Sequence, residues 1–132
     1  MQQNQLALSE QRTDSSNLIE IVLPGDARLH LPLILPILSQ LTYDRGHGWL
    51  TYVGSTLLSK NNCRQFGLNW QRLLQVLPSI RCNTLDIAER ALISGRSHTV
   101  VAIAPSCDSR QFQRLEIAAQ EGKCRCILIR TR

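Results

Sequence analysis

The chain has 132 residues, a net charge of +5 and 43% hydrophobic residues, which together indicate one globular domain with its own core. No run approaches the roughly 20 apolar residues needed to span a bilayer, and the polar start MQQNQLALSEQRTDSSN does not resemble a secretory signal. We therefore expect a cytoplasmic protein with a disordered N-terminal tail over residues 1–17 and a single α/β domain over residues 18–132.

The first part of the chain predicts a strand followed by an apolar helix. Residues 18–23 (LIEIVL) alternate apolar and polar side chains and end at a Pro-Gly pair, which is typical of a strand and a turn. Residues 29–41 (LHLPLILPILSQL) predict a helix that begins near Pro32, because proline is tolerated in the first turn. Pro36 removes a backbone hydrogen bond one turn later, so a kink or a later start is expected.

The middle of the chain predicts two further strands with a helix between them. Residues 49–53 (WLTYV) form the second predicted strand, and residues 55–66 form a helix that Gly67 ends. Residues 73–77 (LLQVL) form a short third strand, which Pro78 ends.

The remainder predicts two helices and two strands. Asn83 caps a helix that closes with a left-handed residue at Gly95, and residues 98–104 (HTVVAIA) form an apolar run typical of a strand buried on both faces. Asp108 and Gln111 have the spacing of a capping box. That second helix is predicted to close at Gly122, and residues 124–129 form the last strand. The alternation of strands and helices predicts an α/β fold, a mostly parallel sheet flanked by helices.

The second strand and the residues after it have the outline of a phosphate-binding loop. Gly54, Ser55 and Thr56 follow the strand and precede a predicted helix that contains Lys60. A phosphate cradle needs further glycines, whose amides point at the ligand, and a lysine at the helix start. Gly54 stands alone and Lys60 lies a helical turn too late, so a tight turn is favoured and no cofactor is expected.

Catalytic and metal-binding patterns are also missing from the sequence. No motif surrounds any of the three histidines, His30, His47 and His98. The five cysteines are odd in number and widely spread, so we expect no disulfide framework and no metal site. Cys124 and Cys126 are interpreted as core residues on one strand face. Cys107, beside Asp108, is interpreted as structural, and no enzyme is predicted. The helical carboxylates are expected to be solvated: Asp86, Glu89 and Glu116.

Binding through a surface is the remaining interpretation. Thirteen of the 15 basic residues are arginine, whose planar donors suit carboxylates and phosphates. Trp70 and Arg72 follow a predicted helix and are residue types that dominate protein interfaces. The alternative is that Trp70 and Trp49 are partly buried edges of the core. The sequence contains no basic helix and no interleaved aromatic platform, so nucleic acid is not favoured as a partner.

Five motifs follow one another along the chain: LILPILSQL at residues 33–41, WLT at 49–51, GL at 67–68, TLDIAERALISGRSHTVV at 84–101 and AAQEG at 118–122. In this order they resemble the bacterial SulA family of cell division inhibitors, and the resemblance runs from about residue 28 to residue 130. The resemblance implies a trimmed RecA-like fold without an ATP-binding loop. It also implies a protein that is made in the SOS response to DNA damage and tends to form a homodimer.

The resemblance further implies a partner, the tubulin-like GTPase FtsZ, bound at the face that carries its synergy loop. By position, the FtsZ-binding residues of the family fall on Arg45, Leu50 and Arg72, and Trp70 lies beside the last of these. Arg45 and Arg72 are expected to pair with acidic groups of FtsZ, whereas Leu50 is either a contact or a core residue. The sequence departs from the family near Asn62, where a family tryptophan is replaced.

Two further questions stay open at this point. Some relatives are recognised by the Lon protease through an extended C-terminal tail, and the last residue here is Arg132, so Lon as a partner is undecided. The alternative function is a RecA-like nucleic-acid-binding accessory protein without ATPase activity, which the net charge of +5 favours.

Overall fold

The computed structural model describes residues 17–25, 30–43, 48–55 and 57–131. The described residues form five strands, four α-helices and one 3-10 helix, in the order β1 (Leu18–Leu23), α1 (Leu31–Thr42), β2 (Trp49–Val53), α2 (Lys60–Gln65), the 3-10 helix (Trp70–Arg72), β3 (Leu73–Val76), α3 (Thr84–Ser94), β4 (Ser97–Ala104), α4 (Ser109–Gly122) and β5 (Arg125–Thr131). The predicted N-terminal tail lies outside the described residues, apart from Asn17.

The strands form one sheet in the order β1-β5-β4-β2-β3, and every neighbouring pair in it is parallel. The expected α/β class and parallel sheet are therefore confirmed. Parallel neighbours need a crossover between them, which the helices supply. No helix among the described residues has both the length and the apolar character to cross a membrane.

Helices cover both faces of the sheet, so the protein has two cores. One core joins α3 and α4 to the sheet and includes Leu92, Val100 and Leu115. The other joins α1 and the segment around α2 to the opposite face and includes Leu38, Leu50 and Val101. The neighbours Val100 and Val101 of β4 thus belong to different cores, which confirms that this apolar run is a strand buried on both faces.

The predicted helix caps of the second half are present. The Asn83 side-chain oxygen accepts a hydrogen bond from the Asp86 amide at 2.9 Å, and Gly95 ends α3 in the left-handed region at φ 71°. Asp108 and Gln111 form the reciprocal hydrogen bonds of a capping box at the start of α4. These local signals set the ends of α3 and the start of α4.

Gly122 has a different role from the predicted one. The left-handed residue that closes α4 is Lys123, at φ 52°, and Gly122 is the last helical residue. A Cβ atom on Gly122 would lie 1.7 Å from the carbonyl oxygen of Leu92 in α3. Glycine is therefore required at this position because the backbones of α3 and α4 approach closely.

The first half shows one agreement and one correction. Helix α1 begins one residue before Pro32 and continues through Pro36. The predicted start near Pro32 is therefore confirmed, and the helix does not start later on account of Pro36. The helix predicted over residues 55–66 is much shorter, because α2 begins only at Lys60, after Ser59 accepts the cap hydrogen bond from the Asn62 amide. That predicted start was wrong.

Candidate protein-binding surface

The tryptophans and the arginine singled out in the sequence lie at the amino ends of two neighbouring strands. Trp49 is the first residue of β2, and the 3-10 helix that contains Trp70 and Arg72 runs directly into β3. Leu50 pairs with Leu73 in register, so β2 and β3 begin side by side. Trp49, Trp70 and Arg72 therefore all lie at the end of the sheet where these strands begin, which we call its amino edge. Ligand sites of open parallel sheets usually lie at the opposite, carboxyl edge.

A buried threonine anchors the 3-10 helix to the end of α1. The Thr42 hydroxyl is fully buried, donates to the Ser39 carbonyl at 2.8 Å and accepts from the Asn69 amide at 3.1 Å. The Asn69 side chain in turn accepts from the Gln71 amide at 3.3 Å and caps the 3-10 helix. The position of Trp70 is thus set by hydrogen bonds to a different layer of the fold. The sequence analysis missed Thr42 and Asn69, although an asparagine just before the Trp-Gln-Arg turn is a typical cap residue.

Arg72 is held against the start of β2. Its Nε and one terminal nitrogen donate to the Gly48 carbonyl at 3.3 and 3.1 Å. Gly48 itself adopts φ 97°, and a Cβ atom there would lie 2.2 Å from the Arg96 carbonyl oxygen. Since the next amide, that of Trp49, donates to the same Arg96 carbonyl at 3.0 Å, only glycine fits between β2 and the approach to β4.

Both tryptophans are partly exposed. The exposed fraction is 42% for Trp49 and 39% for Trp70, and the nearby Tyr43 at the end of α1 is exposed as well. Large aromatic side chains presented next to an arginine are the usual centre of a protein-binding surface. We call Trp49, Trp70 and Arg72 the amino-edge surface.

Of the other two predicted site residues, one is buried and one lies outside the described part of the chain. Leu50 is 0% exposed and belongs to the core on the α1 side of the sheet, so a partner cannot reach it in this arrangement. Arg45 lies outside the described residues, in the segment that connects α1 to β2. The structure therefore places Trp49, Trp70 and Arg72 at the amino ends of the same two strands and makes Leu50 a core residue.

Two amides of the segment after β2 form hydrogen bonds with β3. The Gly54 amide donates to the Val76 carbonyl at 3.2 Å, and the Leu58 amide donates to the Gln75 side-chain oxygen at 2.8 Å. Lys60 is exposed at the start of α2. The Gly54 and Leu58 amides therefore already have partners within the protein.

The carboxyl edge of the sheet carries a shallow cavity of about 410 Å3 at the start of α4. Glu20 and Arg130 line it and pair with each other at 2.7 Å. Burial, followed by the charge of Glu20, raises the pKa of the neighbouring Cys107 thiol, which disfavours the reactive thiolate. No group of three metal-ligating side chains occurs in the described part of the chain.

The helical carboxylates differ in their surroundings. Glu89 pairs with Arg114 at 2.8 Å, which links α3 to α4 on the outer face. The carboxylate is about three-quarters buried while the guanidinium is more than half exposed. Glu89 is therefore part of the contact between these two helices, where the sequence suggested a freely solvated charge.

Comparison with known proteins gives one consistent family. The family described as Cell division inhibitor SulA matches residues 17–126. A Cell division inhibitor SulA from Pseudomonas aeruginosa is 33% identical over 109 residues, 82% of this chain and 66% of that protein. Another from Klebsiella aerogenes is 34% identical over 92 residues, 68% of this chain and 53% of that protein. The chain thus spans between half and two thirds of the length of these relatives.

The fold agrees with a solved structure of the same family. The crystal structure of SulA from Pseudomonas aeruginosa superposes with a TM-score of 0.77 at 30% sequence identity. The match covers 88% of this chain and 98% of that one. Sequence and fold therefore agree on the same relatives.

Proposed function

The chain belongs to the SulA family of cell division inhibitors, and from that premise we propose that it is a non-catalytic inhibitor of FtsZ made in the SOS response. It binds FtsZ one to one at the synergy-loop face. That face must meet the nucleotide of the next FtsZ subunit for a filament to grow and for GTP to be hydrolysed. Covering it blocks polymerisation and GTPase activity without contact with bound GTP.

The physical basis of this inhibition is mass action. A tight one-to-one partner lowers the concentration of free FtsZ below the level at which filaments form. No chemical step is needed, so the inhibitor requires neither a nucleophile nor a cofactor. The raised pKa of Cys107 and the occupied amides around Gly54 are in keeping with a surface-binding function.

The observation that carries the proposal is the amino-edge surface. Trp49 and Trp70 present partly exposed aromatic area, and Arg72 is held by two hydrogen bonds to the Gly48 carbonyl. A held arginine loses less side-chain entropy when a partner binds than a fully mobile one. We propose that Arg72 and Arg45 face acidic groups of FtsZ and that Leu50 supports them from the core.

Two further partners belong to the proposal. Self-association into a homodimer is expected from the resemblance, and size-exclusion chromatography coupled to light scattering measures it directly. Degradation by Lon is tested by incubating the protein with the purified protease and ATP. Both stay predictions until those measurements are made.

The experiment that tests the proposal is an FtsZ assembly assay with increasing amounts of this protein. We expect light scattering and GTP turnover to fall together and to reach their minimum near one inhibitor per FtsZ. Undiminished assembly at excess inhibitor contradicts the proposal. Tight, steeply salt-dependent binding of DNA with no effect on FtsZ would instead support the nucleic-acid alternative.

A further inference from the structure

The net charge of the protein is confined to one segment of the chain. Residues 45–85 contain five basic residues and no acidic one: Arg45, Lys60, Arg64, Arg72 and Arg81. The other 91 residues contain ten basic and ten acidic residues and are neutral overall. The whole charge of +5 therefore comes from the segment that forms β2, α2, the 3-10 helix and β3.

This segment forms the last two strands at one side of the sheet. Strand β3 is the last strand of the order and has β2 as its neighbour. Lys60, Arg64 and Arg81 are exposed and Arg72 is partly exposed. The four described basic residues of this segment therefore lie on α2, on the 3-10 helix and on the turn after β3, which all flank the two strands at this side of the sheet.

Apolar side chains stand among these charges at the carboxyl end of β3. The Gln75 side chain binds the Leu58 amide at 2.8 Å and the Leu58 carbonyl at 3.1 Å, which fixes the neighbouring Leu57 beside the strand that continues to Leu77. The exposed fraction is 59% for Leu57 and 48% for Leu77. Both leucines are held in place by the fold, yet neither is covered by it.

A tight turn continues this arrangement. The Ser79 amide donates to the Cys82 carbonyl at 2.9 Å, and the Cys82 amide donates to the Ser79 hydroxyl at 3.2 Å. Ile80 and Arg81 are the two residues at the tip of the turn, where Ile80 is fully exposed and Arg81 is exposed. A fully exposed isoleucine at the tip of a hydrogen-bonded turn is presented outward together with its neighbouring charge.

We propose that Leu57, Leu77 and Ile80, with Lys60 and Arg81, form a second docking area, the carboxyl-edge surface, for an acidic and partly apolar face of the same protein partner. The inference rests on the proposed function, in which that partner is FtsZ. Opposite charges across such a contact favour encounter and fix orientation. The aliphatic side chains then supply apolar area to be buried.

The two surfaces are close enough for one partner to cover both. The four residues of β3 span about 13 Å at roughly 3.3 Å per residue, and a standard interface buries about 800 Å2 on each partner. A protein that buries an interface of this size around Trp70 and Arg72 is therefore large enough to reach the turn that holds Ile80. A nucleic acid is the less suitable occupant because the side chains that protrude here are aliphatic and offer no platform for stacking bases.

The test compares two double variants that make the same chemical change at two different exposed sites, one on the proposed surface and one on α4. The first is Ile80→Ser with Arg81→Glu. The control is Ile117→Ser with Arg110→Glu in α4, where Ile117 is 55% exposed and Arg110 is exposed. The dissociation constant for purified FtsZ is measured for each full-length variant, and circular dichroism verifies that both fold.

We expect the first variant to bind FtsZ at least about tenfold more weakly, with a shallower salt dependence, and the control to stay within about twofold of the original protein. If the original protein binds FtsZ and the first variant binds it equally well, the carboxyl-edge surface is overturned while the proposed function stands. If the original protein does not bind FtsZ, the proposed function is overturned, and the carboxyl-edge surface as an FtsZ-binding area is overturned with it. If the original protein binds DNA and the first variant does not, this surface is reassigned to nucleic acid.

Discussion

The side-chain amide of Gln75 forms two hydrogen bonds with the backbone of Leu58, one through its oxygen at 2.8 Å and one through its nitrogen at 3.1 Å. A single side chain thereby acts as a strand partner for the segment between β2 and α2. This pairing explains why α2 begins only at Lys60, since the Leu58 backbone is already bonded in a non-helical conformation.

Gln75→Ala removes both partners of Leu58. We expect a loss of about 1–3 kcal/mol in the free energy of unfolding, because the Leu58 amide is partly buried and its hydrogen-bonding potential is left unmet. Urea denaturation measures this loss, and hydrogen exchange locates it at residues 57–59. Gln71→Ala, an exposed glutamine in the 3-10 helix, is the matched control and should change stability little. Equal effects of the two substitutions would contradict the role of Gln75.

Gly122→Ala tests the close approach of α3 and α4. The added Cβ atom would overlap the Leu92 carbonyl oxygen at 1.7 Å, so the helices must separate, with a loss of at least about 2 kcal/mol in stability. Lys123→Gly at the next position should have the opposite effect, because Lys123 occupies the left-handed region and glycine adopts it without strain. Thermal denaturation of both variants distinguishes the two effects by sign. A stable Gly122→Ala protein would mean that this contact is wrong.

Leu50→Ala separates a core role from a contact role. Because Leu50 is completely buried, we expect a loss of about 2–5 kcal/mol in the free energy of unfolding. Inhibition of FtsZ should fall only to the extent that the protein unfolds. Leu50→Met fills a similar volume and should retain both stability and inhibition. A folded Leu50→Met protein without inhibitory activity would show that Leu50 acts as more than a support.

Arg45→Ala is expected to weaken inhibition of FtsZ assembly about tenfold, as loss of a charged interface residue commonly does, while the melting temperature stays nearly unchanged. Arg110→Ala removes the same charge from an exposed position in α4, outside the proposed binding surface, and should leave inhibition unaffected. A large fall in melting temperature for Arg45→Ala would instead make Arg45 a structural residue.

Stability should decrease at alkaline pH. Burial raises the pKa of the Cys124 thiol from 9.0 to about 11 and that of the Tyr52 phenol from 10.0 to about 12. The unfolded chain therefore releases these protons at a lower pH than the folded protein does. Since the folded state binds more protons, the stabilisation that these two groups contribute is fully present below their unfolded pKa values. It is lost as the pH rises from 9 towards 12. Urea midpoints across this range measure the loss, and Cys124→Ala should make the decline less steep. An unchanged slope would contradict the assignment to this thiol.

Local signals determined the element types and several of their ends. Asn83, Gly95, Asp108 and Gln111 carry their cap interactions within four residues of the helix ends they control, so sequence alone predicted them. The alternation of strands and helices likewise determined the α/β class, because it requires crossovers between parallel strands. The order of the family motifs along the chain is enough to indicate the SulA family.

Only the tertiary structure decided the features that depend on residues far apart in the chain. The late start of α2 depends on Gln75, the need for Gly122 depends on Leu92, and the burial of Leu50 depends on which layer covers β2. The confinement of all the net charge to residues 45–85 is visible in the sequence, but the place of its described members, Lys60, Arg64, Arg72 and Arg81, beside β2 and β3 follows from the strand order. Periodicity and capping are local properties of the chain, whereas strand order and helix contacts are set by the burial of apolar surface over the whole domain.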